Sequence, residues 1–202
     1  MKINPITLKS IENMKNKYKI NDLEVEYETI HRNIKYPRLE IKTGYLYLIL
    51  PNGYDNPEQL IKKHESWIYR KVSHIINSKK QAENRKLDMK RSDEELKDLI
   101  LSYVKSISQE LDVNVNKVRF QRMKSRWGSC SSKGNLNFNR YLKYLPAQLI
   151  EYIVFHEVAH LLEMGHNKKF WSIISTRFQN YKKMEDELLI YWLSVKDLEG
   201  IE

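Results

Sequence analysis

Residues 156–166 constrain the fold of this chain more than any other segment. Their sequence is HEVAHLLEMGH, which places His156 and His160 four residues apart. On an α-helix this spacing puts both imidazoles on one face, where they can bind the same metal ion. Glu157 is adjacent to them and can take a proton from the water that such an ion activates. The pattern therefore predicts a helix that carries a metal site.

Two residues compete for the position of third metal ligand. His166 follows His160 by six residues, and an uninterrupted helix would turn it about 120° away from the metal-binding face. The helix must therefore end before His166, and we expect Gly165 to end it in a left-handed conformation. Glu163, one turn after His160, is the alternative ligand. We favour His166, because three protein ligands and an open position are typical of a catalytic zinc ion.

Apolar residues surround the two histidines of the predicted metal helix. Residues 149–155 are almost wholly apolar, and the pattern continues through Val158, Ala159, Leu161 and Leu162. A helix that is apolar nearly all round is buried. Buried imidazoles and carboxylates without partners cost free energy, and a metal ion supplies those partners. This context favours a metal site over ordinary helix residues at the same positions.

The distribution of charge indicates what kind of substrate or partner the chain attracts. The formal net charge is +9 at pH 7, and residues 113–150 contain eight Lys and Arg but no Asp or Glu. A positive field beside a metal site would attract an anionic substrate. Residues 62–91 contain ten Lys and Arg against three acids, which favours contact with nucleic acid through a basic surface. The alternative is that both segments are solvated faces.

The single cysteine and the lack of long apolar segments indicate in which cellular compartment the protein is located. Cys130 alone cannot form an internal disulfide, which is typical of a reducing cytoplasm. The first five residues, MKINP, lack the apolar run of a signal peptide, and no segment approaches about 18 apolar residues. We therefore expect a cytoplasmic protein that has no membrane partner.

Residue patterns predict an α+β fold with a small N-terminal antiparallel sheet. Apolar and acidic residues alternate in residues 23–29, and residues 38–43 and 45–50 follow as two further strands. A helix is predicted to start after Asn56, with Pro57 in its first turn.

The second half of the chain is predicted to be mainly helical. Ser92 and Glu95 form a capping box at the start of a helix. Residues 118–122 are predicted as a strand, and residues 127–131 and 136–139 as a β-hairpin beside the metal helix, which begins at Pro146. Two further helices are expected after His166.

A polar and basic linker is predicted between these two parts. It spans residues 77–91, where the preceding helix is expected to fray. At 202 residues the chain can hold one sizeable domain with a smaller attachment. We therefore predict an N-terminal sheet and basic helix in residues 1–91, and the metal-dependent core in residues 92–202.

Motifs on both sides of the metal helix form a specific combination. They are RMKSRWGSCS at 122–131, Gly134, Asn139, Pro146, HEVAH at 156–160 and HNKKFW at 166–171. Together they resemble the YgjP-like family of metal-dependent hydrolases, which are zincins grouped with peptidases and related to SprT-like and WLM-like domains. The N-terminal strands and the helix around Trp67 also fall where that family has them, so the resemblance covers most of the chain.

The resemblance implies a zincin-like helical core with one catalytic zinc ion. By matching position, the zinc would be bound by His156, His160 and His166, and Glu157 would be the catalytic base. Val158 stands where the family often has leucine, a difference that leaves these positions unaffected.

Three residues of the acid-free segment are candidate substrate-binding residues. They are Arg122, Arg126 and Trp127. An arginine near zinc can polarise a carbonyl group or bind a phosphate bidentately, although Arg126 could instead pair with a carboxylate of the fold. Trp127 could instead pack on the metal helix. We expect Cys130 to be a small buried side chain rather than a reactive thiol.

Three functions remain open on the sequence. We rank first a zinc-dependent, metallopeptidase-like hydrolase of a small-molecule or peptide substrate, with Glu157 as general base. A phosphohydrolase, such as a pyrophosphatase acting on a nucleotide or other anionic substrate, is second. It fits the basic segment, although residues 113–150 offer no carboxylate for Mg²⁺. A nucleic-acid-associated protein is third, since no recognition motif such as a zinc finger is present.

Overall fold

A computed structural model describes residues 16–42 and 44–200, and its architecture confirms the predicted α+β class. The chain divides into two units, of which one ends at Asn77 and the other begins at Ser78. The domain boundary that the sequence predicts, between residues 91 and 92, stays a prediction. Two predictions concern residues that the structure does not describe. They are the end of the second strand at Thr43 and the absence of a signal peptide in the first five residues.

The first unit contains a four-stranded sheet. Its strands are β1 (Asn16–Ile20), β2 (Leu23–Arg32), β3 (Arg38–Lys42) and β4 (Tyr45–Pro51), in the spatial order β1-β2-β4-β3. Strand β1, which the sequence patterns did not predict, pairs antiparallel with β2. The β3–β4 pair is antiparallel, as expected, but β2 and β4 are parallel. The expectation of a purely antiparallel sheet is therefore corrected. The reason is that β4, rather than β3, lies next to β2.

Two helices follow the sheet where a single helix was expected. They are α1 (Pro57–Lys63) and α2 (Glu65–Ala82), and the break between them is at His64. The side chain of Asn56 caps α1 by accepting a hydrogen bond of 3.0 Å from the backbone N–H of Gln59. Because α2 continues to Ala82, the first part of the predicted linker is helical.

The second unit contains four α-helices and a three-stranded sheet. Its elements are α3 (Asp93–Glu110), β5 (Lys117–Gln121), β6 (Gly128–Cys130), β7 (Asn135–Asn139), a 3-10 helix (Arg140–Tyr144), α4 (Ala147–Ala159), α5 (Lys168–Arg177) and α6 (Tyr181–Glu199). The capping box of Ser92 and Glu95 is present at the start of α3, and the antiparallel β6–β7 hairpin is also as predicted. The strand order is β5-β7-β6, so β6 is an edge strand.

Helix α4 lies in the core of the second unit. Nine of its thirteen residues are buried, as its apolar sequence predicts. The surrounding core takes side chains from α3, β7, the 3-10 helix, α5 and α6. Because α4 carries the metal motif, this core fixes the position of the site.

Among the described residues, none of the helices combines the length and the apolar character that a membrane crossing requires. The expected cytoplasmic location stays a prediction.

Candidate metal centre

The structure brings together the three histidines that the sequence singles out. His156 and His160 belong to the end of α4, and His166 lies in the loop before α5. One nitrogen from each ring lies within 4.8 Å of the other two. The Nε2 atoms of His156 and His166 are 3.0 Å apart. The cluster is partly accessible, because His160 is buried while His166 is exposed.

The end of α4 explains how His166 reaches the other two rings. The helix ends at Ala159, and the N–H groups of Leu161 and Leu162 donate to carbonyls only three residues earlier, which tightens the last turn. The Nδ1–H of His160 donates to the backbone carbonyl of Glu163 at 3.0 Å, which holds the turn that follows. The expectation that Gly165 ends the helix in a left-handed conformation is therefore wrong, because its φ is not positive.

The alternative third ligand is directed elsewhere. The carboxylate of Glu163 accepts a hydrogen bond from the backbone N–H of Gly165 at 3.3 Å and lies 3.9 Å from the Nζ of Lys169. It does not belong to the cluster of side chains that could hold a metal ion.

Side chains from the start of α5 pack against the three imidazoles. The side chain of Asn167 caps α5 by accepting hydrogen bonds from the N–H groups of Lys169 and Phe170. The ring of Phe170 is fully buried, and its centroid lies 4.5–4.9 Å from the centroids of all three imidazoles. The indole N–H of Trp171 donates to the backbone carbonyl of His166 at 3.2 Å. Helix α5 thus positions the histidine that lies outside α4.

Glu157 is a buried carboxylate between α4 and β6. Its side chain lies directly against the backbone of Gly128, where a Cβ atom would be 2.7 Å from both Cγ and Oε1 of Glu157. Burial raises the pKa of Glu157 to about 8, the positive charge of Arg126 opposes the rise, and the negative charge of Glu185 adds to it. A carboxylate with a pKa near neutrality can both accept and return a proton.

His156 and His160 are held in the neutral form that binds metal ions. Burial lowers the pKa of His156 to about 3, and the neighbouring rings of His160 and His166 lower it further. Burial is also the main cause of the lowered pKa of His160. Protons therefore compete weakly for the ring nitrogens of His156 and His160 near neutral pH.

A cavity of about 490 Å³ opens beside the cluster. Arg126 and Trp127 line it, as does Glu185 of α6, but Arg122 does not. The guanidinium of Arg122 instead lies 5.9 Å from the ring centre of Tyr141. Substrate binding by these residues stays a prediction.

Cys130 also lines this cavity, at the end of β6. Burial and the charge of Glu157 raise the pKa of its thiol to about 11, so the thiol is protonated at neutral pH. A protonated thiol is a poor nucleophile, which agrees with the expectation that Cys130 is not reactive, although its side chain is half-buried rather than buried.

The sequence of the second unit matches a known family. The model of the YgjP-like family, described as a YgjP-like metallopeptidase domain, matches residues 77–190, which is more than half of the chain. The chain belongs to the YgjP-like metallopeptidase family. The resemblance indicated by the sequence motifs is thereby confirmed, and the protein is a metal-dependent hydrolase. No curated protein matches the chain.

Two solved structures are similar to part of this YgjP-like chain. One is the metallopeptidase zymogen abylysin of Pyrococcus abyssi, with 23% identity and a TM-score of 0.42, covering 45% of this chain and 91% of that chain. The other is the metallopeptidase zymogen jannalysin of Methanocaldococcus jannaschii, with 28% identity and a TM-score of 0.40, covering 45% of this chain and 86% of that chain.

The YgjP-like family implies a catalytic metal, and the three histidines fit one. Tetrahedral zinc with Zn–N bonds of about 2.0–2.1 Å has an N···N edge of about 3.3–3.4 Å. The 3.0 Å between the Nε2 atoms of His156 and His166 is close to this edge. The Nδ1–H of His160 is occupied by a backbone carbonyl, so its Nε2 is left with a free lone pair.

Sequence patterns missed several residues that shape this YgjP-like site. Gly128 and Phe170 lie within the motifs RMKSRWGSCS and HNKKFW, but the motifs do not predict what these two residues contact. Glu185 lies outside the motifs, and Tyr152 lies in the apolar run before HEVAH. The close approach of Gly128 to Glu157 joins a strand to a helix, and local periodicity carries no signal for such a contact. The small residue in the segment GSC was the only available indication.

Proposed function

We propose that this YgjP-like protein is a zinc-dependent, peptidase-type hydrolase. In this proposal His156, His160 and His166 bind one zinc ion, and Glu157 is the general base. The observation that carries it is the cluster of three imidazole nitrogens within 4.8 Å, beside a carboxylate that is only 7% exposed. Three histidine ligands with an open position favour zinc over metals that prefer oxygen ligands.

Glu157 would move the proton in this reaction. When bound, the zinc ion supplies a Lewis acid that polarises the scissile carbonyl group and activates water. Glu157 accepts a proton from the attacking water and returns it to the nitrogen of the leaving group. In the metal-free protein burial raises the pKa of this carboxyl to about 8, and the positive charge of a bound zinc ion would lower it, which favours the carboxylate that accepts the proton. Gly128 lacks a side chain, and this leaves the space that the carboxylate occupies.

We assign the cavity beside the cluster to the substrate. Arg126 is exposed at its edge and can bind a carbonyl or carboxylate oxygen of a peptide. Trp127 forms part of the wall and is itself held edge-on by Trp192, with 4.9 Å between the ring centres. Because this contact already fixes the indole ring, Trp127 would lose little conformational entropy when it contacts an apolar part of the substrate.

A phosphohydrolase acting on a nucleotide or other anionic substrate is the second candidate. The observation that favours it is the position of Arg126 in the cavity lining, since a guanidinium binds phosphate as readily as carboxylate. Nucleic-acid binding through the basic surface stays a prediction of the sequence.

The test compares the native protein with Glu157→Gln on two substrate classes. Purified protein is analysed for zinc, then assayed on unstructured peptides and on nucleoside triphosphates. We expect about one equivalent of zinc in both proteins, and peptide cleavage that is lost in Glu157→Gln. Glu163→Gln is the matched control, because it removes a nearby carboxylate that faces Lys169 instead of the cluster.

Two results would contradict the proposal. Native protein without bound zinc would refute the metal assignment, and full peptidase activity in Glu157→Gln would refute the role of the base. Cleavage of triphosphates but not of peptides would establish the second candidate instead.

A further inference from the structure

Glu185 of α6 lies next to the metal cluster although the sequence motif does not contain it. Its Oε1 atom is 3.9 Å from Nδ1 of His156, and the same oxygen accepts a hydrogen bond from the hydroxyl of Tyr152. Glu185 also lines the cavity that contains Glu157. Resting on the zinc site proposed above, we propose that Glu185 is a positioning residue that orients His156 for metal binding, and that Tyr152 holds Glu185 in place.

The two nitrogens of His156 face different partners. Nε2 is 3.0 Å from Nε2 of His166, so this nitrogen is directed into the cluster. Nδ1 is on the opposite side of the ring and is directed toward Glu185. If Nε2 binds a metal, Nδ1 must carry the proton and needs an acceptor. A carboxylate is the strongest acceptor for this purpose, since it also stabilises the partial positive charge of a ligating imidazole.

The distance of 3.9 Å is closed by a small movement of one side chain. It exceeds the upper end of the range for a direct hydrogen bond, about 3.2 Å, by about 0.7 Å. The side chain of Glu185 is 44% exposed and can rotate, whereas Tyr152 is fully buried. The hydroxyl of Tyr152 therefore provides a fixed point, and rotation about it brings the carboxylate to His156.

Tyr152 occupies the same face of α4 as His156, one helical turn earlier. The two ring centres are 6.1 Å apart, and the tyrosine ring packs edge-on against Phe178 at 5.3 Å. The tyrosine thus links the metal helix, α6 and the end of α5. This arrangement gives His156 the same kind of support that the Glu163 carbonyl gives His160.

The experiment measures zinc affinity, which does not depend on the substrate. Metal-depleted full-length protein is titrated with zinc in competition with a chelating dye. Compared with the native protein, we expect zinc binding to weaken about 10–100-fold in Glu185→Ala, less in Glu185→Gln and least in Tyr152→Phe. Asp197→Asn is the matched control, because it removes an exposed acid from the other end of the same helix and should leave affinity unchanged.

Two further measurements separate positioning from folding. The thermal midpoint of the metal-free Glu185 variants should equal that of the native protein, and the visible spectrum of the cobalt-substituted form should shift. A spectrum and an affinity unchanged in Glu185→Ala would overturn the inference. A spectrum showing that a ligand has been lost would overturn it too, since Glu185 would then bind the metal directly. Failure of the native protein to bind zinc would instead refute the proposed function, so the two failures are distinguishable.

Discussion

The backbone of Gly128 lies against the carboxylate of Glu157 so closely that a Cβ atom there would be 2.7 Å from Oε1. Strand β6 therefore sets the position of the proposed general base. Real Cβ atoms essentially never come this close to another heavy atom, so any side chain at residue 128 must displace the carboxylate or the strand.

The first prediction concerns Gly128→Ala. We expect kcat to fall about 100-fold while zinc remains bound, because a misplaced catalytic group costs roughly that factor. Steady-state kinetics and zinc analysis measure the two effects. Gly165→Ala is the matched control, since its nearest neighbours would be 3.8 and 3.9 Å from the new Cβ and its φ is not positive. Equal kinetics in both variants would contradict the role given to Gly128.

The second prediction separates the two candidates for the third ligand. We expect His166→Ala to lose zinc at least 100-fold more readily than the native protein, and Glu163→Gln to retain it. The reason is that His166 contributes a nitrogen to the cluster, while the carboxylate of Glu163 faces Gly165 and Lys169. Dialysis against a chelator followed by metal analysis decides between them, and the reverse order would make Glu163 the ligand.

The third prediction concerns the pH dependence of stability in the metal-free protein. Because the pKa of Glu157 is about 8 in the folded state and about 4.5 when unfolded, the folded state holds its proton more tightly. This contribution to stability is complete below pH 4.5 and is lost as the pH rises to about 8. Glu157→Gln removes the effect, so its stability relative to the native protein should increase over this range, by a few kcal/mol at most.

Urea unfolding of chelator-treated protein at pH 5 and pH 8.5 measures this change. The other titratable residues are common to both proteins, so the comparison isolates the effect of residue 157. If the two proteins instead differ in unfolding free energy by the same amount at both pH values, that result would contradict a raised pKa of Glu157 in the folded state.

The fourth prediction concerns Phe170, whose ring packs against the three imidazoles. Phe170→Ala should lower the unfolding free energy by about 3–5 kcal/mol, because it empties a fully buried site. It should also weaken zinc binding, since the ring contacts all three imidazoles. Phe170→Leu keeps most of the volume and should recover most of the stability. Unchanged zinc affinity in both variants would show that the ring contributes only to the core.

The fifth prediction tests the candidate substrate-binding arginines. We expect Arg126→Ala to raise KM several-fold with a smaller change in kcat, because Arg126 lines the cavity and is proposed to bind a part of the substrate that does not react. Arg122→Ala should have the smaller effect, since its guanidinium lies over Tyr141 and outside the lining. Equal changes in KM would remove Arg126 from the site.

The sequence predicted best what depends on local spacing. The spacing of His156 and His160 follows from helix geometry, and the capping box of Ser92 with Glu95 follows from local hydrogen bonding. The β6–β7 hairpin was predicted for the same reason, because its two strands are close in sequence. In each of these, the interacting residues are separated by few residues.

Contacts between distant elements were not predictable in this way. The parallel pairing of β2 with β4 depends on which strand occupies the centre of the sheet, and alternation of apolar residues does not report strand order. Glu185 reaches His156 from another helix, 29 positions further along the chain. The sequence did not predict that α4 ends at Ala159. Leu161 and Leu162 continue the apolar pattern of the helix, although they belong to the tight turn that follows it.

Helix α4 belongs both to the core and to the histidine cluster, so the proposed metal site would link the amount of folded protein to the supply of metal. An ion that binds only the folded chain stabilises it by mass action, by about 2.7 kcal/mol at a free concentration 100 times its dissociation constant. Nine of the thirteen residues of α4 are buried, so a misplaced helix would disturb core and cluster together. In a cell short of zinc, a larger fraction of the chain would then be unfolded, and proteases would degrade that unfolded fraction.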